Sequence, residues 1–258
     1  MKPQALMLPP GILTQSRARV TPLYALLPAV GIVESILPNF TCTLAHIQAA
    51  PALGGARFVQ MLLDLQPDAT TLAPIHDGLE HFFYVLDGAV RLEFGQDSHL
   101  LAEGQYAYLP PGQSFSLANP SKTPCHLEWI KRRYQPVDRP APLPLVGDQK
   151  NIAREPGDVA GTQVQRLLPA ADVAFDMAVN LLRFNPGTYF DYVETHIMEH
   201  GLYMLSGQGI YSLAGEWMEV QASDFIWMAP FCPQFFFCTG WEEGAYLLYK
   251  DVNRDITL

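Results

Sequence analysis

Cations are scarce in this sequence. Against 26 Asp+Glu stand only 16 Lys+Arg, a formal net charge of −10, and charged residues make up just 16%. A phosphate backbone is bound by releasing its counterions, which takes cations on the protein, so nucleic acid is excluded as a partner class. Long apolar runs are missing as well. The most apolar early stretch, Pro22–Val33, is broken by Pro28 and falls well short of the ~20 residues a spanning helix needs. Met1–Gly11 shows no charged start, apolar middle and small-residue cleavage pattern, so neither a membrane anchor nor a secretory signal is expected. Cysteine is rare. Cys42, Cys125, Cys232 and Cys238 show no C-x-x-C spacing, which argues against disulfides or thiolate zinc and for ordinary buried thiols in a reducing, cytoplasmic setting. Helix-period runs are scarce too, the one candidate being a turn or two at Pro169–Phe175.

What remains is 49% hydrophobic, enough for a buried core in 258 residues, punctuated by 22 Pro and 19 Gly. Short β-type runs alternate with turns. Phe82–Leu86 is followed by Asp87-Gly88, which supplies the positive φ of a tight hairpin, and then by Ala89–Phe94. Tyr106–Leu109 ends at Pro110-Pro111-Gly112, and the same order returns in Leu202–Gly207, Gly209–Leu213 and Phe225–Pro230. The recurrence has a fixed offset: Pro67 and Pro186 are 119 apart, as are His81 and His200, Gly88 and Gly207, Pro111 and Pro230, and Lys131 and Lys250. The chain is therefore two copies of one β-unit, joined by the proline-rich stretch 136–150. Residues before about Ala45 either add strands to the first copy or cross to the second. Many short strands favour closed or sandwiched all-β units, which leave no exposed edges.

The second copy carries the chemistry. In Gly187-Thr-Tyr-Phe-Asp-Tyr-Val-Glu194-Thr-His196-Ile-Met-Glu199-His200, Glu194 and His196 are two apart and on a strand share a face. After three residues His200 opens the next strand and can return to meet them. A lone histidine reads as a satisfied core residue, whereas two imidazoles and a carboxylate converging from neighbouring strands form a divalent-metal constellation.

This stretch resembles the cupin motif G-x5-H-x-H-x3,4-E-x6-G, with one extra residue and permuted ligands. Glu194 takes the place of the first histidine, and His200 that of the glutamate. Ser223-Asp224 through Gln234 matches the second cupin motif. Gln234 falls on its histidine, and Ser223 and Phe231 replace glycines, so looser turns are expected there. The set Glu194, His196, His200, Gln234 resembles the (S)-ureidoglycine aminohydrolase family, manganese-dependent two-cupin enzymes of purine (allantoin) degradation. Further support comes from Tyr192–His196, Glu199–Gly201, Leu205–Gly209, Lys131–Tyr134 and the closing Lys250-Asp251-x-Asn253-Arg254-Asp255.

The resemblance implies an all-β fold of two tandem cupin barrels: an extension at 1–44, a metal-free cupin at 45–135, the linker, and a metal-bearing cupin at 151–258. It implies one Mn²⁺ per chain on Glu194, His196, His200 and Gln234. Substrate contacts fall to Glu194, Gln234, Tyr246 and Lys250, with Tyr211 as a further active-site residue, in a cytoplasmic homo-oligomer acting on a small molecule. A carboxylate, two neutral imidazoles and an amide oxygen suit an oxygen-tolerant ion and leave an octahedron two open positions. Tyr246 and Lys250, four apart on one strand, share a face. Two other classes fit the same donors: an iron-dependent dioxygenase and a non-catalytic ligand-binding cupin.

At the same offset the first copy has Ile75, Asp77, His81 and Phe115, a set too poor to hold a metal. His76, Glu80 and His81 cannot all converge from one strand. A structural and dimerising role is expected for this copy.

Overall fold

The computed structural model describes residues 17–32, 34–169 and 171–252. Met1–Gly11 and the Asn253, Arg254 and Asp255 of the closing motif lie outside these. Among the described residues the regular structure is all strand apart from single 3-10 turns at Ala29–Gly31 and Gln149–Asn151, and the helix candidate shows only turn hydrogen bonds, Asp172 N–H to Pro169 O and Phe175 N–H to Asp172 O. Among the described residues no helix is long and apolar enough to cross a membrane.

The strands curl into two tandem units whose pairing repeats at the 119-residue offset. In the first unit Glu80–Asp87 pairs with Cys125–Arg132, setting His81 opposite Lys131; in the second, His200–Ser206 pairs with Gly244–Asp251, setting His200 opposite Lys250. The bridge Ile75↔Phe115 recurs as Glu194↔Gln234. Gly88 and Gly207 both turn at positive φ, 73° and 75°. A Cβ there would meet Pro124 O at 2.5 Å and Gly244 Cα at 2.7 Å, so both hairpins require glycine.

The leading strand of each copy crosses to the other. Tyr24–Leu27 pairs with Phe225–Met228 of the second unit, while Leu145–Asp148, from the end of the proline-rich stretch, pairs with Gln105–Leu109 of the first. Glu34–Ser35 and Phe40–Ala49 join the first unit through Phe58–Thr71. Period-2 alternation then decides which core each side chain enters. Tyr24 and Leu26 pack inside the second barrel, and Ala25 and Leu27 in the layer between barrels. Likewise Tyr246 and Leu248 point inward while Leu247 and Tyr249 meet the other barrel. Strands buried on both faces read as unbroken apolar runs, as these do. The barrels approach so closely that a Cβ on Gly201 would lie 2.4 Å from Gln60 Oε1 and 2.7 Å from the Phe58 ring.

Three cysteines are buried as expected, but Cys42 is exposed. It stands at a bulge in Phe40–Ala49, where the register shifts between Thr41 and Thr43 and its φ is 48°, so the extra residue escapes the ladder.

One part of the inter-barrel layer is asymmetric in polarity. Where the second copy has Leu167, Val179 and Leu247, the first has Gln48, Gln60 and Glu128, all buried. Gln48 and Gln60 donate to the Glu128 carboxylate at 2.8 and 3.0 Å. Burial nevertheless pushes its pKa up to about 7, against those two hydrogen bonds. A carboxyl raised in the folded state favours folding fully below its unfolded value and loses that contribution as pH climbs toward 7. Glu128→Gln should therefore gain stability over the wild type between pH 5 and pH 8, by on the order of 3 kcal/mol. Thermal melts across that range test this, and a pH-independent difference would contradict it.

Candidate metal centre

Glu194 and His196 lie not on a strand but on an extended connection between strands. It is held by the two-way bridge of Glu194 with Gln234: Glu194 N–H to Gln234 O at 2.9 Å and Gln234 N–H to Glu194 O at 2.8 Å. The His196 carbonyl accepts from Phe231 N–H at 2.7 Å. His200 opens its strand as expected. The expected loosening at Ser223 and Phe231 does not occur. Both residues keep the left-handed backbone, φ 70° and 61°, that Gly104 (78°) and Gly112 (81°) adopt at the equivalent positions of the first copy. For an L-residue this conformation costs about 1–2 kcal/mol, which the surrounding hydrogen bonds offset.

The seven residues read from the sequence line one cavity of about 150 Å³: Glu194, His196, His200, Tyr211, Gln234, Tyr246 and Lys250. His196 Nε2 and His200 Nε2 are 2.9 Å apart, and Gln234 Nε2 is 3.1 Å from His196 Nε2. Glu194 Oε1 stands 3.7 Å from His196 Nε2. Burial lowers the pKa of His200 well below the usual histidine range, helped by the charges of His196 and Lys250, so its ring is neutral and offers a lone pair. Burial also raises both tyrosines, which remain phenols. Tyr246 hydrogen-bonds Tyr211, and Tyr211 Oη donates to Gln234 Oε1 at 3.3 Å.

Among the described residues no three His, Cys, Asp or Glu side chains stand at metal-holding distances from one another. The donor chemistry nonetheless fits a divalent cation. Two adjacent nitrogens on an octahedral ion with bonds of ~2.1 Å lie roughly 3 Å apart, the spacing of the imidazole pair. A half-turn of the Gln234 amide, whose O and N are interchangeable in shape, faces its oxygen to the same point. The Tyr246–Tyr211 chain then accepts its N–H.

The first copy shows what these positions become with other residues. Asp77 stands in place of His196. Its carboxylate binds His81 Nε2 at 3.1 Å and accepts from Lys131 Nζ at 3.2 Å, and its pKa is held well below the usual range, burial opposing the hydrogen bonds and charges of His81 and Lys131. Trp129 Nε1 donates to His81 Nδ1 at 3.1 Å, so both nitrogens of that ring are engaged. Ile75 and Phe115 face each other across their bridge. Glu80 points away from His81, accepting from Tyr108 Oη at 2.8 Å between the barrels.

Asn180 and Arg166 also line the cavity and were not singled out from the sequence. For Asn180 the available signal was a polar residue at an inward register of the apolar run Met177–Phe184; Arg166 carried none.

A cupin-domain family model matches residues 61–131, within the first barrel. The chain is 36% identical over 235 residues to the probable (S)-ureidoglycine aminohydrolase of Oryza sativa subsp. japonica, spanning 90% of this chain and 74% of that protein. It is 33% identical over 237 residues to the (S)-ureidoglycine aminohydrolase of Escherichia coli K12, spanning 91% and 90%. A crystal structure of the E. coli protein Ylba matches with a TM-score of 0.84 at 33% identity over 96% of this chain and 99% of that one. With its two tandem cupin barrels, the chain belongs to the (S)-ureidoglycine aminohydrolase family.

Proposed function

We propose that this chain hydrolyses (S)-ureidoglycine to (S)-ureidoglycolate and ammonia in purine (allantoin) degradation, using one Mn²⁺ held in the second barrel by Glu194, His196, His200 and Gln234. The observation that carries the reading is Lys250. Its first-copy counterpart Lys131 is neutralised by Asp77, but the matching position beside Lys250 is His196, and among the described residues Lys250 has no ion-pair partner. A cation without an anion, lining the same cavity as the His196 and His200 imidazoles, suits a small substrate that carries a carboxylate.

Ureidoglycine carries a ureido group, an amine and a carboxylate on one carbon. Such a carbon sheds ammonia readily, so the demand on the protein is control of the face that water attacks. A bound divalent cation supplies Lewis-acid polarisation of a chelating substrate. Lys250 and Tyr246 fix the carboxylate end. Tyr211 holds the Gln234 amide, which orients the substrate. Glu194 is placed to take a proton from the incoming water or to give one to the departing amine. At about 150 Å³ the cavity lies below the ~300–1,000 Å³ of sites for larger ligands, which suits a small metabolite. A cytoplasmic homo-oligomer is part of the same reading.

Metal analysis of purified protein should find one ion per chain. His200→Ala should lose it and His81→Ala should keep it; retention in His200→Ala would remove the centre from the second barrel. Lys250→Met should keep its metal while KM for ureidoglycine rises on the order of 10–100-fold, the loss of one charge-assisted hydrogen bond. An unchanged KM would free Lys250 of the carboxylate. Glu194→Ala should lose metal and turnover together, and full ammonia release by that variant would take Glu194 out of the mechanism.

A further inference from the structure

On the face turned toward the other barrel, each copy buries a carboxylate one residue before its histidine: Glu80 before His81, and Glu199 before His200. Each accepts from a ring donor at the same offset, Tyr108 Oη for Glu80 and Trp227 Nε1 for Glu199, both at 2.8 Å. The other two members of each cluster are exchanged in charge. Beside Glu199 stand Arg57, contributed by the first barrel, and Asp251. The residues 119 positions away from these are Asp176, contributed by the second barrel, and Arg132. The two clusters differ in closeness. The Arg132 guanidinium stays 3.7 Å from both the Glu80 and the Asp176 carboxylates, and donates instead to the Asp176 carbonyl at 3.2 Å and to Tyr249 Oη at 3.1 Å. Arg57, in contrast, donates its backbone N–H to both Glu199 oxygens at 3.0 and 3.2 Å, Nε to Glu199 Oε2 at 3.2 Å, and Nη2 to Asp251 Oδ2 at 2.6 Å.

The tight cluster lies directly behind the candidate centre. Glu199 N–H donates to Asp251 Oδ1 at 2.7 Å, and Asp251 N–H to Glu199 O at 3.3 Å. Glu199 adjoins His200 and Asp251 adjoins Lys250, two residues that are themselves opposite each other in the strand pair. Two neighbouring carboxylates would push these strand ends apart, and a single guanidinium fork reaches both, as a lysine ammonium cannot. We propose that Arg57 is a positioning residue: the barrel without a site sets, through the Glu199–Asp251 pair, the spacing between His200 and Lys250, and with it the distance between the metal and the substrate carboxylate. This inference rests on reading His200 as a ligand and Lys250 as the carboxylate's partner.

The test compares Arg57→Met and Arg57→Lys with Tyr108→Phe, which weakens the quasi-equivalent cluster in the first barrel. Circular dichroism confirms that each variant is folded at the assay temperature, and the milder lysine variant serves if methionine unfolds the protein. Both Arg57 variants should weaken Mn²⁺ binding, followed by electron paramagnetic resonance titration, and raise KM for ureidoglycine, each by tenfold or more for methionine and less for lysine. In metal-free protein they should also shift the His200 ring resonance. Tyr108→Phe should lower the melting temperature and move none of these. Folded Arg57 variants with wild-type Mn²⁺ affinity, KM and His200 resonance would overturn the proposal, as would equal shifts in Tyr108→Phe. Wild-type protein that binds no Mn²⁺ would instead overturn the functional reading, while the His200 resonance still tests the positioning role.

Discussion

Neither barrel closes with its own strands alone. Tyr24–Leu27 joins the sheet of the second unit between Arg19–Val20 and Phe225–Met228, and Leu145–Asp148 is an edge strand of the first, so each copy completes the other. This exchange fixes the layer between the barrels, in which Phe58, Trp227, Leu247 and Tyr249 share one core. The strand pair that carries His200 and Lys250 has one face in that layer and the other in the cavity. Its position is therefore set by packing from both sides, and interiors packed to crystal-like density do not deform gradually. The candidate centre inherits its geometry from that constraint.

Within this shared frame a few positions set the chemistry of the two copies apart. His81 and Lys131 persist opposite each other in the first barrel, as His200 and Lys250 do in the second. One carboxylate, Asp77, accounts for most of the difference: it satisfies the imidazole and the ammonium internally and leaves no donor for a cation and no cation for a substrate. In the second barrel the same point is the His196 imidazole, and both groups are left facing the cavity. A single backbone thus supports a self-satisfied polar cluster in one copy and an open donor set in the other.

Much of this was legible in the residues. The five-fold match at one offset implied tandem units. The unequal ligand sets at Glu194/Ile75, His196/Asp77 and Gln234/Phe115 indicated which unit holds the chemistry. Tyr246 and Lys250 shared a face because strand periodicity requires it. The partner of Tyr24–Leu27 was not legible, because a short apolar run signals a strand without naming its neighbour. Ser223 and Phe231 were misjudged for a related reason. Their types disfavour positive φ, but hydrogen bonds such as Phe231 N–H to His196 O impose it. The exchange of Arg57 and Asp251 for Asp176 and Arg132 is invisible until the fold brings the two barrels face to face. Cys42 escaped for want of any sequence signal for its bulge.

The account stands on one cation in the second barrel. Crystals grown with Mn²⁺ and measured on both sides of the manganese absorption edge test it most directly. A single anomalous peak per chain is expected between His196 and His200, with the Glu194 carboxylate and Gln234 amide oxygen turned toward it. No peak at that point, or one beside His81 in the first barrel, would contradict the account.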